Sequence, residues 1–501
     1  METLFNLANG FAAAIMPDNF LACLVGVVIG TIIGVLPGIG PVGAMALLLP
    51  FSFGLNPGTG LIMLAGIYYG SMYGGSTTSI LLNVPGEAVS IVTCIDGYQM
   101  AKKGRGGAAL AVAAIGSWIA GSLGVVGLML FAPMLGQAAL AFGPPEYFSI
   151  TLVGIILLSN LSGGSFIKSF LMVIIGMMIS TIGVDSTSGF NRFDLGIPEM
   201  ARGIELLPLA MGAFGLAEIF SVAVEPYNVA DAIKVKFREL YPSRKEMNRS
   251  IWPIIRGSLI GFPMGLLPGP AAVISSLVSY KVEKSVSRHP EEFGTGAIEG
   301  VAGPESANNA ASAGAMVPLL ALGVPFNAAT AMLLGGLMIH GIAPGPLFIT
   351  EHANLFWLVI ASMYIGNLML LILNLPLVGV FAKIMAVPAK ILMPIIIAIM
   401  MVGAYSVNNS VFDLWLLLIF GVIGYIMKEL DLQAAPLVIG LVLGTIFEQK
   451  LRQGLMMVDG NFLKFFDRPI SAVLLSISIL LLCWNVGKFL AKKMKAASQA
   501  A

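Results

Sequence analysis

Two polar stretches interrupt an otherwise apolar chain, and both carry groups able to hold an anion or a hard cation. The first is Tyr73-Gly-Gly-Ser-Thr-Thr-Ser79, leading to Asn83-Val-Pro85-Gly86. The second is Gly303-Pro-Glu-Ser-Ala-Asn-Asn309, leading to Gly323-Val-Pro325-Phe-Asn327. Ser76, Thr77, Thr78, Ser79 and Asn83 bring hydroxyls and an amide to the first; Ser306, Asn308, Asn309 and Ser312 do so for the second. Such side chains donate to carboxylates, and their oxygens, with backbone carbonyls, suit Na⁺. Glu305 stands among them. An acid at membrane depth is costly and marks a functional site by default, as a cation ligand or a proton carrier. The competing reading of Glu305 is a solvated position at the cytoplasmic mouth. For Gly70, Gly74 and Gly75 the competing reading is close helix packing.

The other ionisable groups read as structural or solvated. Glu87 and Asp96 follow the first polar stretch beside a basic loop, and Glu199, Arg202 and Glu205 sit at an external helix start. His289, His340 and His352 lack metal-ligand spacing, and Cys23, Cys94 and Cys483 lie singly, as packing residues. Tyr68, Tyr69 and Tyr73 suit either a pathway wall or interfacial anchoring. There is no phosphate-binding loop, no His-Glu-x-x-His helix and no nucleophile elbow, so neither ATP hydrolysis nor other catalysis is expected.

The elements that hold these groups follow from composition. The 501 residues are 57% hydrophobic before 59 Gly are added, and only 11% are charged. A water-soluble globule needs about 25% charged residues, so the chain is a multi-spanning membrane protein. Lys+Arg 27 against Asp+Glu 26 leaves no basic field for nucleic acid. Apolar runs lie near 20–50, 61–83, 107–135, 147–163, 166–184, 205–225, 254–280, 314–339, 354–382, 384–403, 411–427 and 470–487, with a shorter one at 434–447. A spanning helix needs ~20 such residues, so about 10–12 crossings are expected. The runs do not alternate as barrel strands would. The expected fold is all-α and polytopic. Residues 1–19, without Lys or Arg, read as no cleaved leader.

Basic clusters mark the cytoplasmic side. They are Lys102, Lys103 and Arg105; Lys234 to Arg249; and Lys488 to Lys495, which puts the C-terminus inside. The loops 52–60 and 341–353 have no Lys or Arg and read as external. Segment 252–280 lies between basic stretches and segment 20–51 between base-free ones, so each is expected to enter and return as a hairpin. The turns would be Leu36-Pro37-Gly38-Ile39-Gly40-Pro41 and Leu267-Pro268-Gly269-Pro270. Pro37, Pro41, Pro85, Pro268, Pro270, Pro304 and Pro325 are each expected to break a helix.

The hairpins also match in sequence. Gly30-Thr-Ile-Ile-Gly34-Val-Leu-Pro37-Gly38 is similar to Gly257-Ser-Leu-Ile-Gly261, followed four residues on by Gly265-Leu-Leu-Pro268-Gly269. With the sidedness of the loops, this predicts two inverted-topology repeats, an architecture of many secondary transporters. The expected organisation is an N-terminal segment 1–19, a first membrane repeat 20–225, a basic cytoplasmic linker 226–251, a second repeat 252–455, and a terminal helix with a basic tail, 456–501. Expected substrate ligands are Gly38, Gly40, Ser76, Thr77, Thr78, Asn83, Gly269, Ser306, Asn308 and Asn309. Expected ion-coupling residues are Ser79, Pro37, Pro268 and Glu305.

The chain resembles the large permease subunit of tripartite tricarboxylate transporters, the TctA type. The likeness rests on Gly34-Val-Leu-Pro-Gly-Ile-Gly40, Tyr69 to Glu87, Asp96-Gly-Tyr-Gln-Met-Ala, Phe142-Gly-Pro-Pro-Glu-Tyr-Phe148, Gly303 to Ala310, and Ala435 to Glu448. The resemblance implies a multi-pass permease of the bacterial inner membrane, embedded in lipid. It would work with a small membrane subunit (TctB type) and a periplasmic substrate-binding protein (TctC type). Citrate-like di- and tricarboxylates would enter on a Na⁺ or H⁺ gradient with no bound cofactor. The alternative is an ion-coupled carboxylate symporter needing no binding protein.

Overall fold

A computed structural model describes residues 2–36, 40–83, 85–161, 165–185, 187–224, 241–375, 377 and 389–500. It is helical almost throughout. The strands among the described residues are a two-residue antiparallel pair, β1 (Gly183–Val184) and β2 (Asn191–Arg192). In hydrocarbon every backbone polar group must be satisfied internally, and helices do this within one segment. Six helices among the described residues are long and apolar enough to cross a membrane: Pro17–Gly34, Gly106–Ala139, Leu206–Val224, Ala353–Asn374, Val411–Glu429 and Ala434–Met457. The chain is an all-α polytopic membrane protein.

In chain order the helices are α1 (Glu2–Ala14), α2 (Pro17–Gly34), α3 (Gly40–Ser52), α4 (Pro57–Leu82), α5 (Ile91–Lys102), α6 (Gly106–Ala139), α7 (Pro144–Leu161) and α8 (Phe166–Ser180). Then come α9 (Leu206–Val224), α10 (Arg244–Gly265), α11 (Ala271–Val286), α12 (Glu299–Leu322) and α13 (Ala328–Ile339). The last are α14 (Ala353–Asn374), α15 (Ala389–Asn408), α16 (Val411–Glu429), α17 (Ala434–Met457) and α18 (Pro469–Ala500). The expected short run at 434–447 is the apolar half of α17, a 24-residue helix whose remainder carries Glu448, Lys450 and Arg452. The charges hid its length. Residues 226–240 of the expected linker lie outside the described residues, and Arg244 to Ser250 open α10. Its start is fixed by a capping box: the Ser243 backbone N–H donates to Glu246 at 2.7 Å, and the Glu246 N–H returns to Ser243 Oγ at 3.3 Å.

Glycine stripes set the packing at the centre. A Cβ on Gly26, Gly30 or Gly34 of α2 would lie 2.3, 2.5 or 2.1 Å from the carbonyl oxygens of Met63, Ile67 and Ser71 of α4. Successive glycines meet successive turns in the same order, so α2 and α4 run parallel and backbone to backbone. The segment between them therefore returns to its starting side through α3. The same construction recurs later. A Cβ on Gly257, Gly261 or Gly265 of α10 would lie 2.3, 2.0 or 2.2 Å from the carbonyl oxygens of Gly303, Ala307 and Ala311 of α12. Here α11 makes the return. Small residues permit such contact where lipid offers no hydrophobic drive. The stripes also pair Gly30 with Gly261 and Gly34 with Gly265, one turn away from the gapped sequence match, and the gap disappears.

Where the two units meet, their helices run oppositely. Ser312 of α12 donates to Met72 Sδ of α4 at 2.9 Å, and Ser76 donates to Glu305 at 2.7 Å. Moving forward along α4 is moving backward along α12. Met72 and Ser312 are near the middles of helices of 26 and 24 residues, so the two helices cross near their centres.

The polar stretches are not themselves breaks. Residues 73–79 lie inside α4 and residues 303–309 inside α12, and Pro304 does not interrupt that helix. Membrane helices tolerate proline where their neighbours re-satisfy the freed backbone groups, and Pro318 lies inside the same helix. The breaks come afterwards. Asn83 ends α4 with φ 59° and ψ 25°, and Gly323 ends α12 with φ 69° and ψ 18°. Four residues on, Glu87 (φ −151°, ψ 169°) and Asn327 (φ −151°, ψ 168°) each start the next helical turn.

Candidate substrate and ion site

The breaks and the hairpin tips build one cavity. A space of about 440 Å³ is walled by the first residues of four helical segments: Gly40 of α3, Ala88 of the turn leading into α5, Ala271 of α11 and Ala328 of α13. Each hairpin tip is tied to its break. The Gly269 N–H donates to the Phe326 carbonyl at 2.9 Å. Gly86 sits where an added Cβ would come within 2.4 Å of the Gly75 Cα and 2.9 Å of the Gly34 carbonyl. Helix starts carry N–H groups and the positive end of the dipole, which suit an anion; Glu87 and Asn327 stand in the same wall. The remaining wall is mostly apolar, with Tyr68, Met72, Val273 and Phe214.

A second space of about 640 Å³ shares Ala88, Ile91, Phe214, Gly269, Pro270, Val273, Asn327 and Ala328 with the first. It adds Glu218 and Lys428, which pair at 2.7 Å. Ala213 and Phe214 reach it from a π-helical turn, Met211–Leu216, within α9. Such turns re-aim side chains and recur at functional sites. Both volumes suit a small organic ligand, for which pockets run ~300–1,000 Å³.

On the neighbouring face of α4 lies a separate polar cluster. The Glu305 carboxylate, 1% exposed, accepts from Ser76 Oγ at 2.7 Å, from Thr93 Oγ1, and from Asn308 Nδ2 at 3.4 Å. Asn309 Nδ2 donates to Ser117 Oγ at 2.7 Å and to the Glu305 carbonyl at 3.0 Å. Besides α12, α4 and α5 thus supply donors to the carboxylate, and Ser117 of α6 donates to the Glu305 carbonyl at 3.4 Å. No Lys or Arg among the described residues is paired with Glu305.

Residues 20–439 match the tripartite tricarboxylate transporter TctA family. The chain belongs to that family. It is 45% identical over 479 residues, 96% of this chain and 95% of the relative, to an uncharacterised 52.8 kDa protein in the TAR-I ttuC′ 3′ region of Agrobacterium vitis. An uncharacterised protein of the TAR-II ttuC′ 3′ region of the same organism is 45% identical over 219 residues, covering 44% of this chain and 90% of the relative. No solved structure matches. The TctA match makes the chain a membrane transport protein of the tripartite type and turns attention to which residues face its cavities.

The structure divides the expected residues into groups. Gly40 and Gly269 line the large cavity. Ser76, Asn308, Asn309 and Glu305 come together in the acidic cluster, with Thr77 facing the same small space as Ser76. Thr78 and Ser79 donate back to the Gly75 carbonyl, both at 2.9 Å, and Ser306 to the Ala302 carbonyl at 2.8 Å, so these hydroxyls are spent on their own helices. Asn83 caps α4, and Pro268 is in the buried turn before α11. Pro37 and Gly38 lie outside the described residues.

Sequence reasoning missed Thr93 and Ser117 as partners of the cluster, and Asn327 and the Glu87 cap as cavity wall. Thr93 sits one turn before Asp96 in a mixed helix that also carries Gln99 and Lys102, so nothing local distinguishes it. Asn327 does carry a local signal, since Asn followed three residues on by Thr330 is a capping box. The Thr330 N–H donates to Asn327 Oδ1 at 2.8 Å. Asp96 has become a clamp rather than a solvated acid. It is fully buried and accepts from Tyr280 Oη and the N–H groups of Gly294, Gly296 and Ala297 at 2.7–2.9 Å.

Proposed function

We propose that the chain is the large membrane subunit of a binding-protein-dependent secondary transporter that imports citrate-like di- or tricarboxylates across the bacterial inner membrane. A small TctB-type subunit and a periplasmic TctC-type binding protein complete it, and a Na⁺ or H⁺ gradient drives it. The observation that carries this reading is the cavity on which four helix starts converge at the crossing of two oppositely running units. A carboxylate there meets N–H dipoles and apolar walls, and the acidic cluster on the adjacent face of α4 offsets charge through a coupling cation. Each hairpin and its break move as one piece against the remaining helices, an alternating-access motion of an inverted repeat. The C-terminus is cytoplasmic, and the chain performs no catalysis.

The test is uptake of labelled carboxylate into vesicles holding this chain with its small subunit, supplied with loaded binding protein. Ala88→Trp fills the shared wall of both spaces and is expected to abolish uptake while the protein still accumulates in the membrane. Unchanged uptake in that variant overturns the cavity reading. Rapid uptake by the chain alone, without binding protein, favours the self-sufficient symporter instead.

A further inference from the structure

Beside Glu305 is a small space of about 10 Å³, lined by oxygen-bearing Tyr73, Ser76, Thr77, Ser117, Glu305 and Asn374 against alanine and leucine of α6. That is about the volume needed for one water molecule, or for one dehydrated small cation. Tyr73 is 5% exposed, and its hydroxyl is buried without a hydrogen-bond partner. Asn309 is 2% exposed, and its Oδ1 is likewise unpartnered while its Nδ2 donates to Ser117. Buried polar atoms without partners are rare, and each asks for an explanation such as an unseen ion. Asn374 commits its Nδ2 to the Leu370 carbonyl at 2.9 Å, which leaves its amide oxygen for the space.

The charge balance points the same way. Both Glu305 oxygens hold donors, Ser76 and Asn308 on one and Thr93 on the other. A carboxylate so arranged at membrane depth needs a counter-charge, and the lining contains no Lys, Arg or His. Oxygen ligands on hydroxyl, amide and carboxylate groups select a hard cation. We infer that this space is a binding site for one dehydrated Na⁺, held by Glu305, Tyr73, Ser76, Thr77, Ser117 and Asn374. The inference deepens the transport reading by naming its coupling ion and the ion's place. The ion does not touch the carboxylate cavity. Met72, which lines that cavity, accepts from Ser312 one turn along α12 from Asn308, so occupancy is communicated through the α4–α12 crossing.

The experiment uses the purified full-length chain in nanodiscs, with no partner and no carboxylate, so its outcome does not depend on transport. Radiolabelled Na⁺ is expected to bind once per chain and to raise the melting temperature with rising concentration, as any ligand of the folded state does. Tyr73→Phe keeps the ring and removes one ligand; it should weaken Na⁺ about tenfold, the size of one lost polar contact. Glu305→Gln should abolish binding. Should that variant fail to fold, Tyr73→Phe and Ser117→Ala carry the test. The inference is overturned if Na⁺ neither binds nor stabilises, if both of those variants bind it as the parent does, or if only pH, and no metal ion, changes the melting temperature.

Discussion

The two hairpin units share a backbone and differ in chemistry. Their glycine stripes match, their breaks adopt the same dihedral angles, and Pro85 and Pro325 stand at the same place between them. Aligned through the stripes, Ser71 of α4 corresponds to Ala311 of α12. In that register Ala65 occupies the place of Glu305, Tyr68 and Tyr69 the places of Asn308 and Asn309, and Met72 that of Ser312. Of the two crossing helices only α12 carries acids, while the acids of the first unit, Glu87 and Asp96, follow α4 rather than lie in it. The difference separates what the units share, glycine and proline at fixed places, from what they do not, the acid at position 305. It also means that the acidic cluster faces a single small cavity and has no counterpart.

The comparison breaks first, and most severely, at the stripes. Gly30→Val and Gly261→Val each force side-chain atoms into a carbonyl that an added Cβ would already approach within 2.5 and 2.0 Å. Overpacking costs typically 1–3 kcal/mol where side chains can yield, and a backbone contact yields less. Both variants should therefore lose folded protein in fluorescence-detected size exclusion. A strong effect in one unit alone would show that the units do not bear load alike. The next effect falls on function. Glu305→Gln is expected to reduce ion-driven uptake to background with normal accumulation, whereas Met316→Leu, a volume-conserving change at the place corresponding to Ser76, should leave uptake unchanged. Retained uptake in Glu305→Gln would remove the asymmetry as a functional principle.

How much of this was legible beforehand follows from range. The polar stretches, the hairpins and the all-α class are local patterns of composition and period, and all are readable along the chain. Pro304 misled because proline signals a break by type, while its cost depends on whether neighbours re-satisfy the freed backbone groups. The length of α17 was hidden because Glu448 and Arg452, which pair at 2.7 Å, read as a loop by charge alone. The site was less legible. Glu305 and Asn308 declared themselves by being polar where apolar residues surround them, but Thr93 and Ser117 reach Glu305 and Asn309 across 212 and 192 residues. Only the crossing of α4, α5, α6 and α12 brings those groups together. Nor could sequence reveal that Thr78, Ser79 and Ser306 spend their hydroxyls on their own helices.

A smaller effect is expected at the caps that face the large cavity. Glu87 starts one break and Asn327 the other, on the same backbone conformation. Asn327→Asp preserves capping, because Asp and Asn cap alike, but places a second like charge beside a bound carboxylate. At an effective dielectric constant near 20 and about 7 Å, that repulsion is roughly 2 kcal/mol, so half-saturation for uptake should rise about thirtyfold. Burial holds Glu87 largely protonated, so Glu87→Gln keeps the first cap uncharged and should leave half-saturation nearly unchanged. Equal values in both variants would mean that the caps do not face the carboxylate.

The finest distinction lies between the two capping boxes. The Asn327 N–H donates to Thr330 Oγ1 at 3.2 Å, while the Glu87 N–H reaches Ser90 Oγ at 3.4 Å, near the limit of a hydrogen bond. Asn327 also accepts from the Thr330 N–H at 2.8 Å. Thr330→Val removes the hydroxyl at a fully buried position without changing shape, and leaves the Asn327 N–H without its acceptor. A lost cap contact costs about 1 kcal/mol, so this variant should lower the melting temperature measurably. Ser90→Ala gives up the longer bond and should lower it less. If Ser90→Ala is the more damaging, the first break is the better-held one, and the mobile element of the pair is the second hairpin rather than the first.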